Sequence, residues 1–205
     1  GKVEIEKQDE KGQVALTVKV DRGPKTRIGE VEFPGLDPKL VSPFFLKRGM
    51  KNNRTHGLIN TVSGKDTLNK DKLTEDLEEV KLRLMQKGYL EAKVGQPTYS
   101  FFDRKHILGQ KTTMLKMTIP VELGPKYTVG EITFEGNKVL KTDFLKRFVN
   151  LKKGKTYNIK KRNKIKEEIQ KFYSALGYFY CQIAPLENLD PVKKVADLSF
   201  RISEN

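Results

Sequence analysis

The chain has one cysteine, two histidines and no long apolar run. Each shortage excludes something. A lone thiol, Cys181, cannot form an intrachain disulfide. It fits a reducing cytosol, or an oxidising compartment if buried in a strand, and so gives no compartment signal. His56 and His106 fall in separate polar stretches and, with a single cysteine, do not make up a zinc-ligand set. A bilayer-spanning helix needs roughly 18 or more consecutive apolar residues, and no run approaches that. The first residues, Gly-Lys-Val-Glu-Ile-Glu, alternate like a strand rather than a signal peptide. No glycine-rich phosphate loop and no recognisable Ser/His/Asp arrangement occur. Asp76 and Glu79 read as solvated carboxylates on an exposed helix face, not as an acid–base couple. Neither enzymatic activity nor a cofactor is expected.

What the chain does contain is a repeat. Residues 22–36 read Arg-Gly-Pro-Lys-Thr-Arg-Ile-Gly-Glu-Val-Glu-Phe-Pro-Gly-Leu, and residues 123–137 read Leu-Gly-Pro-Lys-Tyr-Thr-Val-Gly-Glu-Ile-Thr-Phe-Glu-Gly-Asn. Both fit G-P-K-x-x-[IV]-G-E-[VI]-x-F-x-G, which marks tandem domains. With 37% apolar and 32% charged residues, each unit can fill only a modest core.

The two copies can be read against each other. Ile28, Val31 and Phe33, like Val129, Ile132 and Phe134, make a β-branched and aromatic strand. Alternation breaks at Gly29-Glu30 and Gly130-Glu131, which predicts a bulge in each. A short helix follows. In the first copy Asp37 is the expected cap, with Pro38 at the first helical position and Leu40, Val41, Phe44 and Phe45 facing inward. In the second, Thr142 caps and Phe144, Leu145, Phe148 and Val149 face inward. A longer second helix carries Leu73, Leu77, Val80 and Leu84 at helical spacing, matched by Ile165, Ile169, Phe172, Tyr173 and Leu176. Gly88-Tyr89 and Gly177-Tyr178 end these helices, glycine entering the left-handed conformation at no steric cost. Two strands close each unit, over 89–96 with 113–121 and over 178–184 with 196–202. The expected class is therefore α+β: tandem β-α-α-β-β units, each a three-stranded sheet covered on one face by two helices.

Between Gly49 and its second helix the first copy carries about sixteen more residues than the second does after Gly154, a length uncommon for a loop in a compact domain. This stretch near 50–70 reads as a loose insertion or a docking element, with a short hairpin across Thr61–Thr67 a further possibility.

Net charge is +14. That points to an anionic membrane surface or nucleic acid, or else to a solvated basic surface with no specific partner. Between Lys138 and Lys166 stand twelve Lys or Arg residues and one acid, Asp143. Lys152, Lys153, Lys155, Lys160, Lys161, Arg162, Lys164 and Lys166 surround the start of the second helix, where positive charge opposes the helix dipole. The first copy does the reverse, with Asp71, Glu75, Asp76, Glu78 and Glu79 early and Lys81, Arg83 and Lys87 late.

The β-α-α-β-β order, the Gly-Pro-Lys opening, the G-E-[VI]-x-F-x-G strand and the helix-ending Gly-Tyr resemble POTRA domains. These are the polypeptide-transport-associated repeats of outer-membrane β-barrel assembly proteins. The resemblance covers complete units at 23–123 and 124–205, with 1–22 as the last hairpin of a preceding repeat. It implies a place on the periplasmic side of the outer membrane, within a larger outer-membrane protein. The partners it implies are unfolded outer-membrane proteins and accessory assembly lipoproteins, with anionic phospholipid headgroups as a partner for the basic patch. A two-partner secretion transporter is the related alternative. A nucleic-acid-binding module is a further one, but RNP, KH and helix-turn-helix signatures are absent and no nucleic acid is expected.

In such a unit the second strand is expected at the sheet edge, free to pair with an extended peptide. That assigns Leu90, Glu91, Ala92, Lys93 and Val94 in the first unit, and Phe179, Tyr180, Cys181, Gln182 and Ile183 in the second. Gly23-Pro24 and Gly124-Pro125 are the expected inter-unit hinges, permitting limited rather than free motion because proline fixes φ.

Overall fold

The computed structural model describes residues 2–10, 13–21, 26–105 and 111–204. It opens with an antiparallel hairpin of β1 (Lys2–Glu10) and β2 (Gln13–Asp21). The first unit runs β3 (Ile28–Glu32), α1 (Pro43–Lys47), α2 (Leu58–Val62), α3 (Leu73–Gln86), β4 (Lys93–Val94), β5 (Thr98–Lys105), β6 (Lys111–Thr118) and β7 (Val121–Glu122). The second runs β8 (Thr128–Glu135), α4 (Thr142–Leu145) with a 3₁₀ turn at Lys146–Phe148, α5 (Ile159–Ala175), β9 (Gln182–Asp190) and β10 (Val195–Ser203). Both units are α+β, as the repeat implied.

Each main sheet has the order first–last–second: β3-β6-β5 and β8-β10-β9. The first and last strands run parallel, which requires the helical crossover between them. The expected bulges are present, the register slipping between Ile28 and Glu30 against β6 and between Ala196 and Leu198 against β8. The glycine that ends the first strand has a packing reason. A Cβ on Gly35 (φ +84°) would lie 2.2 Å from the Val121 carbonyl oxygen, and one on Gly136 (φ +81°) 2.2 Å from that of Ile202. No side chain fits there.

Under the helices lie two separate cores. The α3 stripe of Leu73, Leu77, Val80 and Leu84 is buried as its spacing requires, each side chain contributing roughly 1.5–3 kcal/mol. In α5, Ile159, Ile165, Ile169 and Tyr173 are buried. Phe172 instead meets Phe144 and Phe148, at centroid distances of 4.8 and 5.8 Å, and Leu176 is exposed. The first short helix starts later than expected. Asp37 closes a turn, its Oδ1 accepting from Lys39 N and its carbonyl from Leu40 and Val41 N. The helix itself begins at Pro43 behind Ser42. Val41 and Leu46 are buried while Leu40 and Phe44 stay exposed. In the second unit Lys141, not Thr142, holds the cap position.

The long segment before α3 is folded against the sheet. In place of a hairpin across Thr61–Thr67 it contains the short helix α2. Asp76, read from the sequence as solvated, is 1% exposed. It stands one turn from both Leu73 and Val80, on the inward stripe. Its Oδ1 accepts from the backbone N–H of Lys51 (2.8 Å) and Asn52 (3.1 Å), and its Oδ2 from Asn53 N (2.8 Å) and Nδ2 (2.9 Å). Asn53 in turn takes Asn69 N on its Oδ1 at 2.6 Å.

Asp66, also 1% exposed, gathers Arg27 Nη1 at 3.0 Å, His56 Nδ1 at 2.7 Å and Thr61 Oγ1 at 2.9 Å. Burial pushes its carboxyl up, but the His56, Thr61 and Arg27 contacts together outweigh burial and hold it below the ordinary aspartate value. The loop then closes the β3 edge, Ile28 N donating to Asp66 O and His56 N to Ile28 O. A shorter loop does the same in the second unit, where Val129 N donates to Lys155 O.

Removing the Asp76 carboxylate strands several buried N–H donors. Asp76→Ala is expected to cost about 3 kcal/mol in urea unfolding and to speed amide exchange across 51–56. A variant within ~0.5 kcal/mol of the parent, with unchanged exchange, would show that the carboxylate does not hold the loop.

Candidate peptide-binding edges and the inter-unit junction

The free edge of each sheet is its second strand, but it lies further along than the sequence placed it. Tyr89 and Ala92 are core residues, Ala92 N donating to Tyr89 O, so Leu90 and Glu91 form a turn. Lys93 and Val94 are already paired with Glu122 and Val121. The edge proper is β5. Its sequence signal is the alternation Tyr99-Ser100-Phe101, which lies ten residues beyond the Gly-Tyr pair that ends the helix. In the second unit Phe179 and Tyr180 form an exposed turn, Cys181 is buried beside it, and only Gln182 and Ile183 belong to β9. Burial pushes the Cys181 thiol up, with the Glu204 charge adding to it.

Backbone direction along these edges follows from the pairing. Leu115 N and Ile119 N donate to Arg27 O and Glu32 O, so odd-numbered β6 residues point at β3. Met114, Lys116 and Thr118 therefore point at their partners Phe102, Ser100 and Thr98. Tyr99, Phe101 and Asp103 are left with N–H and C=O groups directed outward. Tyr99 and Phe101 sit opposite Met117 and Leu115, on the core face of the sheet, yet are 39% and 65% exposed. In β9, Pro185 lacks an N–H, and an edge strand tolerates it only where that position points outward. Gln182 then points inward, and the β9 edge is interrupted in its middle.

The units meet at the end of α3. Tyr127, fully buried, donates its N–H to Gly88 O at 2.8 Å and its hydroxyl to Glu91 Oε2 at 2.5 Å. Its carbonyl accepts from Tyr157 N. Burial, reinforced by the Glu91 bond and charge, pushes the Tyr127 phenol up to about 12, so it remains a donor. Met85 and Leu90 cover part of the second core. A Cβ on Gly88 (φ +93°) would come within 2.9 Å of Tyr127 O and Thr156 Cγ2. Gly124 (φ +67°) and Pro125 lead into this contact, whereas Gly23 and Pro24 lie outside the described residues.

The basic residues around α5 are partly neutralised. Lys153 pairs with Glu131, Arg162 Nε with Glu187 at 2.9 Å, and Lys164 Nζ with Glu168 at 3.6 Å. Asn158 caps the helix by accepting from Lys161 N. Lys152, Lys155, Lys160 and Lys161 are exposed and Lys166 is half-buried, and among the described residues none of the five makes an ion pair.

A twice-repeated β-α-α-β-β unit whose first and last strands pair in parallel, with one bare edge, defines the class. The POTRA family, described as surface antigen variable number repeat, matches residues 26–121 and 127–205, and the chain belongs to it. The outer membrane protein assembly factor BamA of Neisseria meningitidis serogroup B is 24% identical over 188 residues, covering 88% of this chain and 22% of its own length. A putative outer membrane protein assembly factor of Treponema pallidum is 24% identical over 202 residues, covering 98% of this chain and 23% of its own. The chain thus spans about a quarter of the length of these relatives. Among solved structures, BamA POTRA3-5 of Haemophilus influenzae superposes with a TM-score of 0.66 at 16% identity, over 91% of this chain and 69% of that one. BamA of Haemophilus ducreyi lacking POTRA domains 1–3 gives 0.58 at 17% identity, over 87% and 29%. At such identities the likeness is one of fold.

The junction geometry has a direct test. Gly88→Val is expected to part the units, and Tyr127→Phe to loosen them by losing one charge-assisted bond, about 1.5–3 kcal/mol. Residual dipolar couplings for each unit should then fit separate alignment tensors in Gly88→Val. A shared tensor in that variant would mean the contact does not set the junction.

Proposed function

We propose that the chain is a periplasmic receiving module of an outer-membrane protein assembly factor. It takes extended segments of unfolded outer-membrane proteins as an added strand and offers surfaces to accessory lipoproteins. The observation that carries this reading is the β5 edge, an eight-residue strand with outward N–H and C=O groups and two exposed aromatics beside them. Strand addition draws affinity from the main chain and so tolerates varied sequences, as a receptor for many clients requires. Of the two edges β5 is the better acceptor, because Pro185 removes a donor from the middle of β9.

Phe101→Pro deletes an outward N–H without touching the β5–β6 ladder. It should lower photo-crosslinking of a barrel-derived peptide about tenfold while the melting temperature stays close to that of the parent. Undiminished crosslinking in the folded variant would exclude β5 as the acceptor.

The exposed lysines without ion pairs favour a second reading for the last unit, contact with anionic phospholipid headgroups. Each Lys near such a surface contributes about 1 kcal/mol, within a Debye length. Lys160→Glu with Lys161→Glu should abolish flotation on anionic vesicles at low salt and leave neutral vesicles unaffected. A parent chain that ignores anionic vesicles would exclude the lipid contact.

A further inference from the structure

A groove in the first unit has chemistry that strand addition does not use. It runs between α1, the 51–67 segment and the start of β3, as two adjoining cavities of about 370 and 440 Å³ that share Lys47 and Thr55. The first is lined by Lys47, Arg48, Arg54 and Arg83, with Phe44 and Asn60 among its other walls and no carboxylate. The second adds His56, Phe102 and Arg104, and its one acid, Glu30, lies 3.7 Å from Lys116 Nζ.

The cations divide into those already used and those left over. Arg83 is committed, its Nη1 donating to Phe45 O at 2.9 Å and its Nε 3.4 Å from Glu79. Arg54 gives Nε to Met50 O at 3.2 Å, and among the described residues its two terminal nitrogens have no partner. Among the described residues the Arg48 guanidinium makes only a contact with the Phe44 ring, 5.9 Å from its centroid. Among the described residues Lys47, Arg48 and Arg54 form no ion pair. Like charges gathered at one concavity repel, and an entering carboxylate relieves that repulsion while meeting guanidinium forks suited to it. The second unit replaces 51–67 with the short turn at 152–156 and has no such wall.

We infer that this groove is a recognition site for an acidic, extended peptide segment of a protein partner, its carboxylates on Lys47, Arg48 and Arg54 and an apolar side chain against Phe44. Charge complementarity selects an anion, and shape selects its kind. Two cavities that share Lys47 and Thr55 exceed one small ion, and a concave groove walled by a folded loop does not admit a flat headgroup layer. Phe44, 68% exposed at the mouth, adds an apolar contact that a simple anion does not need. The groove borders β5 through Phe102 and Arg104, but the contacts assigned to the peptide, Lys47, Arg48, Arg54 and Phe44, lie off that strand, so its failure leaves strand addition standing.

The test is fluorescence anisotropy with a dye-labelled, glutamate-rich octapeptide carrying one central phenylalanine, at physiological salt. Lys47→Glu and Arg48→Glu, both accessible positions, are each expected to weaken binding about tenfold. Phe44→Ala should weaken it less, and Phe101→Pro should have no effect. The Lys160→Glu, Lys161→Glu double variant should change affinity by about twofold at most, since those lysines act only through long-range charge screened by salt. An equal loss in that double variant would show that binding follows net charge and would overturn the assignment. So would displacement of the peptide by millimolar inorganic phosphate, or binding of Arg48-dependent character to anionic vesicles with none to the peptide.

Discussion

The parallel pairing of the first strand of each unit with its last is the constraint from which the rest follows. Parallel neighbours need a crossover, and the two helices supply it while covering one face of the sheet. The last strand is thereby enclosed, and its antiparallel partner, β5 or β9, is left with a neighbour on one side only. The opposite edge does not stay bare. The loop before the second helix folds back along the first strand, through Ile28 and His56 in one unit and Val129 and Lys155 in the other. Each sheet therefore has one closed edge and one open one.

Much of this was legible because repeated features carried local physics. The bulge glycines, the helix stripe at 73, 77, 80 and 84 and the Gly-Tyr stops all report backbone geometry or packing within a few residues. What was missed depends on partners far along the chain. Tyr89 and Ala92 belong to the core rather than to a strand, and nothing within the segment says so. The true edge strand begins after Pro97, where the alternation of Tyr99 and Phe101 was available but a glycine–tyrosine boundary seemed the stronger signal. The charge of Asp76 suggests a solvated side chain, but its place one turn from both Leu73 and Val80 puts it on the inward face.

The polar order of the 51–67 segment shows how a loop rich in Asn, Thr, Lys and Gly acquires one conformation. It has little apolar surface to bury, so two carboxylates organise it instead. Asp76 collects consecutive backbone donors and Asp66 collects three side chains from separate stretches. Each buried charge would be costly alone and is tolerable because its lone pairs are taken up. The second unit applies the same logic at Glu204, which accepts from the Tyr173 hydroxyl at 2.5 Å and from the N–H of Lys138 and Val139. Burial raises that carboxyl, the Tyr173 and backbone bonds lower it, and the bonds prevail.

The duplicated helix end separates a requirement of conformation from one of packing. Gly88 and Gly177 have nearly the same φ, +93° and +94°. At Gly177 the positive φ by itself calls for glycine. Gly88 has the same geometry, and Tyr127 O and Thr156 occupy the space beside it. The absence of a side chain that ends the helix also lets the next unit approach within hydrogen-bonding distance. The residues that flank the helix end diverge accordingly. Leu90 and Glu91 are engaged by the second unit, whereas Phe179 and Tyr180 at the matching turn are 73% and 79% exposed. At Gly88 the helix stop is thus also a joint, closed by the Tyr127 N–H on Gly88 O and the Tyr127 hydroxyl on Glu91.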